Sequence, residues 1–274
     1  MAIRRLMVKA GTAGWLGLFI LMMTMMGCDG MKHYPPEDFF HGTQLSLAQA
    51  IEEGNEREVV TLAKQTALNQ PGAQDMTLLF YALQTAFGER KTQLRILTTL
   101  VKSGANPVQQ VPDAGSVAEV VAKSPHPEYM QALLDGGMSP DMMIEDTPII
   151  MDASNDESLP VLSLLVERGA NVNQRDSLGR TALVEALAGF QLEAVNWLLD
   201  HGADPRVQMH NGSSFASMLS FIQSKQGRSE ADEKRLQAII HKAMAHGMKW
   251  PAEDRSKGGS LDMGSDAQSS ENSR

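Results

Sequence analysis

Four helix-ending turns recur along this chain at a nearly constant step, and that step constrains the fold more than any other feature. They are Leu100-Val101-Lys102-Ser103-Gly104, Leu133-Leu134-Asp135-Gly136-Gly137, Leu165-Val166-Glu167-Arg168-Gly169 and Leu198-Leu199-Asp200-His201-Gly202. Their last glycines are separated by 33, 32 and 33 residues. A solitary glycine after a helix is only a C-cap. A fixed period near 33 residues means supersecondary units that stack to bury a shared core. Aromatic residues make up only 5% of the chain. The core must therefore be mostly Leu, Val, Ala and Met, which suits packed helices better than a β-sandwich.

The clearest unit runs from Asp176 to Gln208. Gly179 and Gly202 allow turns with positive φ. Thr181 can open a first helix that runs to Ala188, its hydroxyl taking up free backbone N–H groups. Leu183, Ala186 and Leu187 form one inward stripe, and Val195, Leu198 and Leu199 form another on a second helix, Leu192 to Asp200. The preceding unit opens at Thr147-Pro148-Ile149-Ile150 and continues into Leu159 to Arg168. Ser116 to Leu134 aligns without gaps to Thr181 to Leu199. These residues resemble the ankyrin repeat, so the expected fold class is an all-α solenoid of helix–turn–helix units joined by β-turn fingers. The resemblance extends to an N-terminal cap at Leu47 to Ala63, a unit opening at Asp75, and a C-terminal unit opening at Asn211. Two long units are expected to carry insertions, one in the loop near Gly88 to Lys91 and one around Ser224 to Asp232.

The N-terminus has another character. Arg4, Arg5 and Lys9 precede an uncharged stretch from Ala10 to Gly27. This is the pattern of a secretory leader, and at 18 residues it also has the length of a spanning helix. Met25-Met26-Gly27-Cys28 resembles the bacterial lipobox, with Met25 where Leu is usual. The resemblance implies diacylglycerol on the thiol of Cys28, cleavage before it, and a lipid anchor on the periplasmic side of the envelope. Asp29 resembles the signal that retains such lipoproteins in the inner membrane. The domain reading is therefore a signal peptide over 1–27, a tether over 28–43, the repeat array over 44–250 and a disordered tail over 251–274.

Charge narrows the partners. The net charge is −9, and removing the leader with its three cations would take it to −12. An acidic body makes few phosphate contacts and is poorly suited to nucleic acid. Cys28 is the only cysteine, which excludes an internal disulfide and a thiolate-rich zinc site. The seven histidines show no metal spacing. Gly212-Ser213-Ser214 lacks the pattern of a nucleophile elbow, and Asp152, Asp156 and Glu157 lack the glycine and remaining ligands of a calcium loop. No cofactor, metal or catalytic residue is expected.

A binding protein remains. The ankyrin resemblance implies a partner-binding face of finger tips and first helices. In this chain that face comprises Asp113, Lys123, Glu145, Asp146, Asn155, Asp156, Ser177, Leu178, Arg180, Ala188 and Gln208. Ankyrin-repeat lipoproteins of this size resemble immunity proteins that neutralise phospholipase effectors of the type VI secretion system. The alternative is an adaptor that holds an envelope enzyme or assembly at the membrane.

Overall fold

The computed structural model describes residues 34–251, apart from Glu89 and Gln226. The leader, Cys28, Asp29 and the tail beyond residue 251 lie outside the described residues. Within them run twelve α-helices, in six antiparallel pairs. The pairs are α1 (Gly42–Glu53) with α2 (Glu56–Ala63), α3 (Leu78–Ala86) with α4 (Lys91–Lys102), and α5 (Val117–Ala122) with α6 (Pro127–Asp135). They continue as α7 (Ile149–Asp152) with α8 (Leu159–Glu167), α9 (Ala182–Ala188) with α10 (Leu192–Asp200), and α11 (Phe215–Ser224) with α12 (Glu230–Ala245). The first helices pack in series, α1 on α3 and so on to α11. The second helices form a parallel layer, with α2 on α4, α4 on α6, α6 on α8, and α10 on α12. The two layers enclose the core predicted from the stripes: Leu183, Leu187, Val195, Leu198 and Leu199 are all completely buried.

The period has a backbone cause. Gly104, Gly137, Gly169 and Gly202 adopt φ of 100°, 106°, 95° and 89°, a left-handed region that a side chain would strain. Beyond each glycine the chain makes a finger and enters the next first helix. Side chains tie successive turns together. The Oδ1 atoms of Asn69, Asp141 and Asn173 accept from the backbone N–H groups of Asn106, Asn171 and Asp204 at 2.7, 2.7 and 2.8 Å. Asn69 and Asn173 also donate to the carbonyls of Gly104 and Gly202, at 2.9 and 3.0 Å. Each repeat thus satisfies groups that its neighbour leaves open.

The fold corrects three boundaries. The tether was expected to reach residue 43, but the folded body already includes Tyr34. Phe39 and Phe40 are buried, and with Tyr34 and Tyr81 they form an aromatic cluster with ring centroids 5.6–6.3 Å apart. The backbone of Phe39 presses on the next turn: a Cβ on Gly72 would stand 2.4 Å from the Phe39 carbonyl oxygen. The long units also place their extra residues differently. The α3–α4 connection is only Phe87–Arg90, and the α11–α12 connection only Lys225–Ser229. Most of the excess lies in the helices: α11 and α12 have 10 and 16 residues where α9 and α10 have 7 and 9. Added turns continue the hydrogen-bond ladder and keep the apolar stripe on one side, whereas an added loop would gain neither.

Candidate binding face on the finger tips and first helices

Five fingers link the six helix pairs. In the first, the Gly72 N–H donates to the Met76 carbonyl at 2.8 Å, across a tip of Ala73, Gln74 and Asp75. The second is closed by a bridge between Val111 and Gly115, across Pro112, Asp113 and Ala114. The third is a hairpin of β1 (Met143–Ile144) and β2 (Thr147–Pro148), with Glu145 and Asp146 at its tip. In the fourth, the Asp176 N–H donates to the Arg180 carbonyl at 3.0 Å, across Ser177, Leu178 and Gly179. The fifth is closed between Gln208 and Ser214, with His210, Asn211 and Gly212 beyond.

The structure divides the anticipated residues into two groups. Asp113, Glu145, Asp146, Ser177, Leu178, Ala188 and Gln208 are exposed. Leu178 is the outstanding case, with 58% of its surface accessible. Its finger is rigidly braced. One carboxylate oxygen of Asp176 accepts from the N–H groups of Leu178 and Arg180 at 2.9 and 2.7 Å, and the other from Arg180 Nε at 2.6 Å. The next finger adds a hydrogen bond from the His210 N–H to the Leu178 carbonyl at 3.0 Å. An apolar side chain is thus held out to solvent by a backbone that cannot easily withdraw it.

The second group serves the stack. Asp156 Oδ1 accepts from the Ala194 N–H at 2.9 Å, and the Asp156 N–H donates to Gln191 Oε1 at 3.0 Å. This aspartate therefore caps the N-terminus of α10 in the next repeat. Asn155 Oδ1 accepts from the Ser158 N–H at 3.0 Å. Arg180 joins Asp176 to Glu185, reaching the latter at 2.9 Å. All three belong to the face that the ankyrin resemblance implies. For Asp156 and Asn155 the cause is the helix end beside them, whose free N–H groups donate to a carboxylate or amide oxygen, and for Arg180 it is the two carboxylates within its reach. Lys123 is exposed but pairs with Asp152 at 3.2 Å.

Two acids on this face titrate in opposite directions. Asp152 lies on α7 with only 17% of its side chain exposed. Burial raises its pKa, and Lys123 offsets that only in part while Glu119 and Glu185 add to it. Asp176 is more enclosed, at 2%. There burial also acts upward, but hydrogen bonds from Arg180 and from the finger backbone outweigh it and lower the pKa.

Two residues of the face escaped the sequence reading. Asp75 occupies the first finger tip, and Phe221 lies on α11 in the position that Ala188 holds on α9. Phe221 is 62% exposed, with Lys225 Nζ 4.4 Å from its ring centroid. Carrying the 33-residue offset from Ala188 one repeat further would have found it. Among the described residues, no group of three or more His, Cys, Asp or Glu side chains is placed to hold a metal ion. No helix among them is long and apolar enough to cross a membrane. The Thr181 hydroxyl, expected to cap α9, makes no such bond and is buried without a hydrogen-bond partner among the described residues.

Comparison with known proteins agrees with this geometry. Residues 119–209 match the family model for ankyrin repeats, in three copies. A mouse B-cell lymphoma 3 protein homolog is 31% identical over 134 residues, covering 44% of this chain and 30% of that protein. A putative ankyrin repeat protein of Acanthamoeba polyphaga mimivirus is 30% identical over 109 residues, 39% of this chain and 14% of that one. The chain thus spans less than a third of the length of these curated relatives. Among solved structures, the ankyrin repeat domain of Bcl-3 superposes with a TM-score of 0.56 at 24% identity, over 74% of this chain and 86% of that one. An ankyrin repeat domain from Acinetobacter baumannii gives 0.54 at 18% identity, over 74% and 98%. With its six stacked helix pairs, glycine-ended turns and projecting fingers, the chain has the ankyrin-repeat fold.

Proposed function

We propose that this chain is a lipid-anchored envelope protein that binds and neutralises a phospholipase effector of a type VI secretion system. The coarse part of this reading, binding to another protein, is what ankyrin repeats indicate, since their fold is typically an interaction scaffold. The observation that carries it is the row of exposed finger-tip side chains, Asp113, Glu145, Asp146 and Leu178, none of which the stack uses. Such side chains are free to be specialised for a partner.

The finer part is supported by the lipobox-like Gly27-Cys28 and by Asp29 after it. Only five residues separate Cys28 from Tyr34, which packs against the core. Fully extended, that link reaches about 20 Å. An acyl group on Cys28 would therefore keep the first repeat close to the bilayer, where a lipase must work, and raise the inhibitor's local concentration there. Inner-membrane retention by Asp29 belongs to the same proposal.

The test has two arms. Cys28→Ser should abolish palmitate labelling and leave the leader uncut; labelling that persists would remove the anchor. Cells lacking the protein should lyse when sister cells deliver the lipase, and the purified chain should inhibit that lipase by one-to-one binding without consuming substrate. If capture from envelope extract recovers a resident enzyme or assembly, and deletion costs nothing in competition, the adaptor role takes the place of immunity.

A further inference from the structure

The finger tips change character along the array. The first three carry Asp75, Asp113, and Glu145 with Asp146. All four acids are exposed, and none has a hydrogen-bond or ion-pair partner among the described residues. The fourth tip carries the exposed Leu178. None of the five tips bears a lysine or arginine. The cations at their bases are already engaged: Arg175 with the Gln208 carbonyl at 3.0 Å, Arg180 with Asp176 and Glu185, and Arg206 with Asp204 at 2.8 Å. The row therefore offers three unneutralised acidic steps followed by one apolar step.

The spacing of those steps follows from the stack. Packed helices lie about 8–10 Å apart, and each finger leads into one first helix, so neighbouring tips repeat at about that distance. A partner chain matching the row must present one side chain per step, all on one side. A β-strand turns successive side chains to opposite faces, so every third residue alternates between them. A polyproline II segment has three residues per turn and rises about 3.1 Å per residue. Every third side chain then points the same way, at about 9 Å intervals. That period matches the fingers.

Building on the protein-binding reading above, we propose that the finger row docks an extended polyproline-II segment of a partner protein. Basic residues at three successive third positions face the tips of Asp75, Asp113 and Glu145–Asp146. An apolar residue at the next third position covers Leu178. The uncommitted carboxylates supply charge complementarity and steer encounter, while Leu178 supplies the desolvated contact that slows release.

The experiment uses the full chain, purified in detergent, and two synthetic decapeptides. One reads Lys-Pro-Pro three times and then Leu. The other has the same composition, with its three lysines adjacent. Calorimetry at low salt should show the periodic peptide binding about tenfold more tightly than its rearranged control, with the advantage shrinking as salt screens the pairs. Combining Asp113→Lys with Glu145→Lys should remove the preference, and Leu178→Ala should weaken the periodic peptide severalfold without altering the salt dependence. Circular dichroism of the variants guards against loss of fold. Equal binding of the two peptides, or a preference that survives the charge reversals in a folded variant, would overturn the proposal. If the chain still captured a protein from envelope extract in that case, the broader protein-binding reading would stand while this occupant fell.

Discussion

The fifth and sixth helix pairs share one plan but satisfy their helix ends by different means. In the fifth pair the helices depend on neighbours. No side chain caps α9 from Thr181, and α10 is closed by Asp156 of the preceding repeat. The sixth pair ends the array and has a neighbour on one side only. Its helices supply their own caps: Ser214 forms a reciprocal box with Ser217 at α11, and Ser229 accepts from the Asp232 N–H at 3.1 Å at α12. Arg228 donates to the Ile222 and Gln223 carbonyls at the end of α11, and Lys242 on α12 reaches back to Asn196 and Asp200 at 2.6 and 2.7 Å. The difference belongs to these two pairs: α10 borrows its cap from the repeat before it, while α11 and α12 carry theirs in their own sequence, as α3 and α5 do with Thr77 and Ser116.

The largest test of this contrast is Leu198→Asp, in the completely buried stripe of α10. It removes a packed side chain and leaves a carboxylate in an apolar site, a loss of about 3–5 kcal/mol. Because the fifth pair leans on both sides, the damage should reach the fourth and sixth pairs, read as lost amide protection in all three. Phe221→Asp, at an exposed position, should leave the melting curve unchanged. Damage confined to one pair would show that the repeats are less coupled than these contacts require.

Asp156→Ala comes next. It uncaps a helix belonging to another repeat, and should cost about 1–2 kcal/mol in chemical denaturation. Ser229→Ala should cost about 1 kcal/mol by the same chemistry, with hydrogen exchange quickening only in the sixth pair. If both substitutions loosen one pair each, borrowed and local caps are equivalent.

The two first-helix caps should respond with opposite signs. Ser214→Ala breaks the box at α11 and should destabilise by about 1 kcal/mol. Thr181→Val replaces a buried hydroxyl that has no partner by a methyl group of similar shape, and should stabilise by about 1 kcal/mol. Equal losses in melting temperature would mean that Thr181 does cap its helix.

The smallest effects should appear as changes in the pH dependence of stability. For Asp152 the folded pKa lies above the unfolded one. As pH rises from the ordinary carboxylate value towards the folded pKa, the unfolded chain loses its proton first and stability falls. Asp152→Asn should remove that fall. For Asp176 the folded pKa is lowered, so its contribution is present above the ordinary value and is lost as pH drops towards the folded pKa. Asp176→Asn should therefore flatten the acid side. Matching pH profiles for the two variants would contradict the opposite environments of these acids.

Much of this is legible in the sequence. The glycine period located the turns because only a residue without Cβ sits comfortably at φ near 100°, and the apolar stripes located both helix layers. Asp156 shows where such reading stops, whereas Asn155 and Arg180 find partners only three to five residues away. Nothing in a single repeat says whether a polar turn residue meets solvent or the end of a neighbouring helix, since that partner lies 38 residues away for Asp156. The extra turns of α11 and α12 were legible as excess length but not as helix, because the residues around Ser224 to Asp232 have the composition of a loop.

The sequence by itself determined the repeat, its period, the core faces and the acidic balance, because these depend on local backbone preference and on spacing within one unit. Tertiary structure alone decided that Asp156 closes a helix of the next repeat and does not stand free on the face. It also decided that Tyr34, Phe39 and Phe40, which read as tether, join Tyr81 in an aromatic cluster. Both outcomes depend on groups distant in sequence coming within hydrogen-bonding or van der Waals range, and a one-dimensional period carries no information about which groups those will be.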